Sequence, residues 1–285
     1  IYTGEDTLSL HDALPISRNI EDKIQLKKLT DSLKELMDGE VLILVDQEGG
    51  RVARLKEPHW KKYPAGQYFA DLYQENPKQS KEELFKNFQE IAIDLNEVGI
   101  NVNCAPVLDI LSEKTHQVIG DRAYGNNPDQ VSILGKVVCD ALLSKNVYPV
   151  IKHIPGHGLG TSDSHLELPI VDASIEYLSK NDFAVFKNLH DQKFAMTAHI
   201  LYSAIDKENC ATTSKKAINL IRQEIGFKNI LMSDDVSMKA LKGSFFDKTK
   251  SILDAVSAKV KSLKSLKANF AITITGAKGA KPQTK

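Results

Sequence analysis

The chain has 285 residues, 42% of them hydrophobic, with 37 basic residues set against 37 acidic ones. This balance gives no electrostatic pull towards nucleic acid or an anionic membrane, and no run approaches the roughly 18 apolar residues of a membrane span. Cys104, Cys139 and Cys210 are far apart and in no CxxC spacing, so they read as reduced, buried thiols; with no signal peptide in view, the cytoplasm is the expected location.

Residues 1–16, IYTGEDTLSLHDALPI, share no period with the rest of the chain. They resemble translated read-through of a sequencing adapter and are set apart from the fold. Ile20, Ile24, Leu29, Leu33 and Leu36 then fall close to helical spacing, with Gly39 as a stop. VLILV (41–45) is a short unbroken apolar run, as in a strand buried on both faces. Leu84, Phe85, Phe88, Ile91, Leu95 and Val98 form the next helical stripe, ending at Gly99, and INVNCA (100–105) comes next as a strand. Asn127-Pro128 supplies a cap and a first turn for a helix over 129–145. YPVIKHI (148–154) reads as a strand, 174–191 as a helix and KFAMTAHI (193–200) as a strand. Ser214 is a candidate N-cap for a helix over 215–225 that ends at Gly226, before the strand NILMS (229–233). After about Asp254 the chain turns lysine-rich without an acidic residue, and 256–285 is read as a divergent basic tail.

Helix and strand alternating through short connections imply parallel βα units. Chemically capable residues recur where strands end: Asp46, Asp109, Lys152 and His153, His199, Asp234 and Asp235. A (β/α)8 barrel builds its active site at that end of its strands. A doubly wound sheet also uses strand ends, but no GxGxxG or GxxxxGK[ST] is present to seat a nucleotide. The expected fold is an α/β TIM (β/α)8-type barrel over 17–255. Only five strands are clear, so the barrel is expected to be incomplete at both ends.

The densest cluster is KHIPGHGLGTSDSH (152–165), which holds three of the eight histidines on a segment too rich in glycine for a helix. Zinc ligation by His153, His157, His165 and Asp163 is one reading, although the early HxH pair common in metal barrels is missing.

Six motifs occur in order: DQEGGRVAR (46–54), APVLDI (105–110), IGDRAYG (119–125), KHIPGHG with DSH (152–165), AHILY (198–202) and SDDVSM (233–238). Together they resemble the N-terminal barrel of glycoside hydrolase family 3, in the manner of its single-domain bacterial β-N-acetylglucosaminidases, from about Ser17 to about Ala255. The resemblance implies a retaining exo-enzyme that releases terminal N-acetylglucosamine from cell-wall fragments, with no cofactor and no metal. Its expected partner is a small carbohydrate, with no nucleic acid and no membrane. It assigns the nucleophile to Asp234 and the acid/base to His165 paired with Asp163. It gives sugar-hydroxyl binding to Asp46, Arg54, Arg122, Lys152 and His153.

These residue types suit those tasks. Retaining hydrolysis needs a nucleophilic carboxylate and a group that donates a proton and later accepts one. Imidazole titrates near neutrality and does both. An aspartate two residues earlier on an extended loop can reach one ring nitrogen and fix the tautomer. Carboxylates and guanidinium forks match vicinal hydroxyls. Gly156, Gly158 and Gly160 give that loop freedom to swing. Other readings stay open: Asp235 as a helix cap, Arg54 and Arg122 as surface salt bridges, His157 shaping the loop, and His199 either supporting the site or simply satisfied in the core. A phosphorylase of the same family and an inactive fragment are the functional rivals.

Overall fold

A computed structural model describes residues 20–36, 41–113, 115–164, 166–235 and 238–241. Both expected terminal segments, Gly39 and His165 lie outside the described residues.

In chain order the strands are β1 (Leu44–Val45), β2 (Gln47–Gly49), β3 (Val52–Ala53), β4 (Val102–Asn103), β5 (Tyr148–Ile154), β6 (Ile170–Val171), β7 (Phe194–Thr197), β8 (Leu201–Tyr202) and β9 (Ile230–Ser233). The helices are α1 (Lys23–Leu36), α2 (Gly66–Glu75), α3 (Pro77–Glu97), α4 (Pro128–Leu143), α5 (Ile175–Lys180), α6 (Asp182–Asn188) and α7 (Lys215–Leu220). Five strands pair in the order β1-β4-β5-β7-β9, and every pairing is parallel. The order never reverses, which is the winding of a barrel; a doubly wound sheet reverses at its switch point. The described residues thus form an incomplete barrel. Two small pairs, β2 with β3 and β6 with β8, stand beside the main sheet. No described helix is long and apolar enough to cross a membrane.

The caps obey the sequence. Asn127 accepts from the Gln130 N–H and Ser214 from the Ala217 N–H, each satisfying a donor that the first helical turn leaves open. Several elements differ from expectation. The runs 41–45, 100–105 and 193–200 are strands only over 44–45, 102–103 and 194–197, although Ile43, Ile100 and Ile200 are fully buried. An apolar run reports burial, which extends further than ladder hydrogen bonding. The helix expected over 174–191 is two, because Asn181 leaves the helical region at φ −114°, ψ −91°. Finally, α2 has no counterpart among the expected elements, since it buries only Gly66, Phe69 and Ala70 and offers too short a stripe.

The pleat sorts the strand residues onto two faces. Leu44, Val102, Cys104, Val150, Phe194, Met196 and Met232 pack together on one face. On the other, Ile151, Ala195 and Leu231 pack with Phe183 and Phe186 of α6, while Ile43 and Val45 pack with Phe88 and Leu95 of α3. All three cysteines are free and buried, as the sequence implies.

Candidate active site

A strand residue and the one two positions on share a face. Two beyond Leu44, Val150 and Met232 stand Asp46, Lys152 and Asp234. The apolar floor therefore gives way to charge at the C-terminal rim. Cys104, buried in that floor, has its thiol pushed up by burial and, further, by the charges of Asp46, Asp234 and Glu48.

Lys152, 2% exposed, bonds Asp46 Oδ1 at 2.9 Å and Glu48 Oε1 at 2.6 Å. Arg54 Nη2 donates to Asp46 Oδ2 at 2.9 Å. Arg122 grips Glu48 with both prongs, Nε to Oε2 and Nη2 to Oε1, each at 2.8 Å. Four of the expected binding residues, Asp46, Arg54, Arg122 and Lys152, are thus one network. Arg122 is not a surface salt bridge, since its side chain is only 11% exposed. Arg54 is more open, but its Nε is buried with no partner among the described residues, a donor left for a ligand.

Glu48 is the residue that sequence reasoning missed. It lies two positions after Asp46, the same interval that marks the rim residues. Gln47 between them turns the other way, its amide bonded to the backbone of Arg54 and Leu55.

Burial works against the charges of Asp46, Glu48, Lys152 and Arg122, and pairing overcomes it. Lys152 and Arg54 hold the Asp46 carboxyl well below the usual carboxylate range despite its burial. Burial raises Glu48, but Arg122 and then Lys152 bring it down. Burial would lower Lys152, yet Asp46 and Glu48 hold it above the ordinary lysine value. This network therefore carries fixed charges, with three cations facing two carboxylates.

A second set joins it. His153 Nδ1 lies 2.6 Å from Asp109 Oδ2, so this nitrogen carries the hydrogen and donates. His153 Nε2 lies 4.0 Å from Asp234 Oδ2. Asp109 is fully buried and also accepts the His157 N–H at 2.7 Å. Burial would raise Asp109, but His153 and His157 hold it down at about 2. Asp234 takes the Asp235 N–H on Oδ1 at 2.7 Å, which leaves Oδ2 directed towards His153. His153, next in the chain to Lys152, thus stands between Asp109 and Asp234.

The remaining residues surround this pair. His199 donates from Nε2 to the Asp235 carbonyl at 3.0 Å, and its Nδ1 meets the Thr212 hydroxyl at 2.7 Å. Burial pushes its pKa down, so the ring is neutral and braces the turn that carries Asp234. His157 is also held neutral, lowered to about 4 by burial, and its Nδ1 finds no partner among the described residues. On the loop, Asp163 accepts the Leu166 N–H on its backbone carbonyl, and Ser164 accepts the Ala240 N–H, which ties the loop to the segment after Asp235. Gly158 departs from the expected swing. A Cβ there would stand 1.9 Å from the Ile110 carbonyl oxygen, so this glycine permits close packing. No group of three or more His, Cys, Asp and Glu among the described residues is arranged to hold a metal.

The chain is similar to known proteins. The family model described as "Glycosyl hydrolase family 3 N terminal domain" matches residues 10–268. A beta-hexosaminidase of Methylobacillus flagellatus is 32% identical over 244 residues, covering 85% of this chain and 69% of that protein. A beta-hexosaminidase of Actinobacillus pleuropneumoniae is 33% identical over 246 residues, covering 84% and 70%. Among solved structures, NagZ from Neisseria gonorrhoeae in complex with N-trifluoroacetyl-D-glucosamine is 32% identical with a TM-score of 0.74, covering 79% of this chain and 66% of that one. A family 3 β-N-acetylglucosaminidase from Paenibacillus matches at 31% identity and a TM-score of 0.74; this chain covers 43% of its length. With a match across most of its length and a rim of the expected residues, the chain belongs to glycosyl hydrolase family 3.

Proposed function

We propose that the protein is a retaining exo-β-N-acetylglucosaminidase in which Asp234 is the nucleophile and His165, paired with Asp163, is the acid/base. The observation that carries this reading is the setting of Asp234. It directly follows β9 on the inner face, has Oδ1 held by a backbone N–H and Oδ2 directed towards His153, and stands next to a rim of fixed charges. In the first step Asp234 Oδ2 attacks the anomeric carbon while the glycosidic oxygen leaves with a proton from His165. In the second, water gives its proton to His165, attacks the same carbon, and the ester to Asp234 breaks. Asp46, Arg54, Arg122, Lys152 and His153 hold the sugar hydroxyls, the unpartnered Arg54 Nε among the donors.

N-acetylglucosamine is supported by the gonococcal relative, whose ligand is an analogue of that sugar, and by the relatives named beta-hexosaminidases. For the natural substrate we propose a cell-wall fragment with an anhydromuramic aglycone, on the resemblance to the bacterial enzymes. Two measurements test the reading. NMR of the first-formed sugar should show the β-anomer, at a rate independent of added phosphate; the α-anomer, or dependence on phosphate, contradicts it. His165→Ala should lower kcat on alkyl glycosides far more than on dinitrophenyl glycosides, which leave with little protonation. Equal losses on both would remove His165 from proton transfer.

A further inference from the structure

Asp182 opens α6 and is 4% exposed, yet the chemistry above makes no use of it. It lies directly on Gly156. A Cβ added at Gly156 would stand 2.6 Å from both Cβ and Oδ1 of Asp182. From β8, the Tyr202 hydroxyl donates to the carbonyl of that same glycine. Tyr202 is itself buried. Gly156 has φ +135°, and its N–H closes a turn on the His153 carbonyl at 2.7 Å. It is therefore the point where the chain leaves His153 in the rim and enters the loop that carries Asp163. Two elements meet there, α6 through a carboxyl and β8 through a hydroxyl.

We propose that Asp182 and Tyr202 are positioning residues that clamp Gly156 and so set where the loop 155–164 presents the acid/base pair. This rests on the reading that Asp163 and His165 transfer the proton. The charge balance around the clamp agrees with it. Burial, and then the charge of Asp109, push the Asp182 carboxyl up to about 7. Asp109 faces it from the 104–111 segment as an anion, held at about 2. Tyr202 faces it from β8 with its hydroxyl raised well above the ordinary value, hence neutral. On the loop, His157 is neutral too. A neutral Asp182 sits beside the Asp109 anion without repulsion. Ionised, it places a second buried charge there and works against the clamp.

The test compares wild type with Asp182→Asn, Tyr202→Phe and His165→Ala on an alkyl and a dinitrophenyl N-acetyl-β-glucosaminide, each at about pH 6 and about pH 8. Thermal unfolding serves as the folding control. Tyr202→Phe should lower kcat on the alkyl glycoside by roughly tenfold, the scale of one hydrogen bond, with KM and the dinitrophenyl rate changed by less than about twofold. Asp182→Asn, which stays neutral, should retain a larger share of its alkyl-glycoside kcat on going to the higher pH than wild type does. The clamp is overturned if the Asp182→Asn and wild-type pH profiles superimpose and Tyr202→Phe affects both substrates alike. In that outcome a His165→Ala that still discriminates the substrates leaves the reaction reading standing. If His165→Ala itself fails to discriminate, the reading falls and the clamp with it. Should Asp182→Asn fail to fold, Tyr202→Phe alone decides.

Discussion

Asp234→Ala is expected to lower kcat by about 10⁴-fold or more, some 5 kcal/mol of barrier, while the fold stays intact. The size comes from the two-step path we propose, in which without the carboxylate no covalent intermediate forms and the barrier reverts to direct attack by water. The fold should tolerate the change because the side chain is partly exposed at the rim. Substrate binding should persist, since Lys152, Arg54 and Arg122 are fixed by Asp46 and Glu48. KM on an aryl N-acetyl-β-glucosaminide should therefore move much less than kcat. Ordinary turnover in the folded variant would remove Asp234 from the chemistry.

The second large effect falls on stability. Glu48→Ala leaves Lys152 with one counter-charge and Arg122 with none of its two carboxylate bonds, both in buried surroundings. Breaking a buried pair by removing one partner costs about 3–5 kcal/mol. In a domain of this size that corresponds to a fall in Tm of roughly ten degrees. Glu48→Gln keeps the volume and one acceptor, so it should lie between wild type and alanine. Acid gives an independent sign. The folded Glu48 carboxyl lies below its ordinary 4.5, so its stabilisation is present above that pH and is lost as pH falls through the folded value. Wild type should lose more stability on acidification than Glu48→Gln does. Calorimetry across the acid range checks both; a Tm for Glu48→Ala within a degree of wild type would contradict the network.

These residues also show where the sequence is legible. Asp46, Lys152 and Asp234 could be placed because each comes just after an apolar strand run, and the pleat puts alternate residues on one face. The five parallel strands and the caps at Asn127 and Ser214 arise from equally local rules. Glu48 obeyed the same two-residue interval, but its importance lies in Arg122, 74 residues away, and in Lys152. No local period reveals a pairing at that distance. Asp182 was hidden for another reason. The apolar stripe through Leu178, Phe183 and Phe186 reads as one helix, and only the backbone turn at Asn181 makes Asp182 the start of a second. The pairing of Asp163 with His165 rests on their spacing and on the family resemblance, since His165 lies outside the described residues.

The most direct measurement is to trap the glycosyl-enzyme. Incubation with an activated 5-fluoro derivative of N-acetylglucosamine slows breakdown of the intermediate more than its formation, and the digested protein is then read by mass spectrometry. One added sugar is expected, on the peptide containing Asp234 and absent from Asp234→Ala. A label on any other residue, or continued turnover with no label, would contradict it.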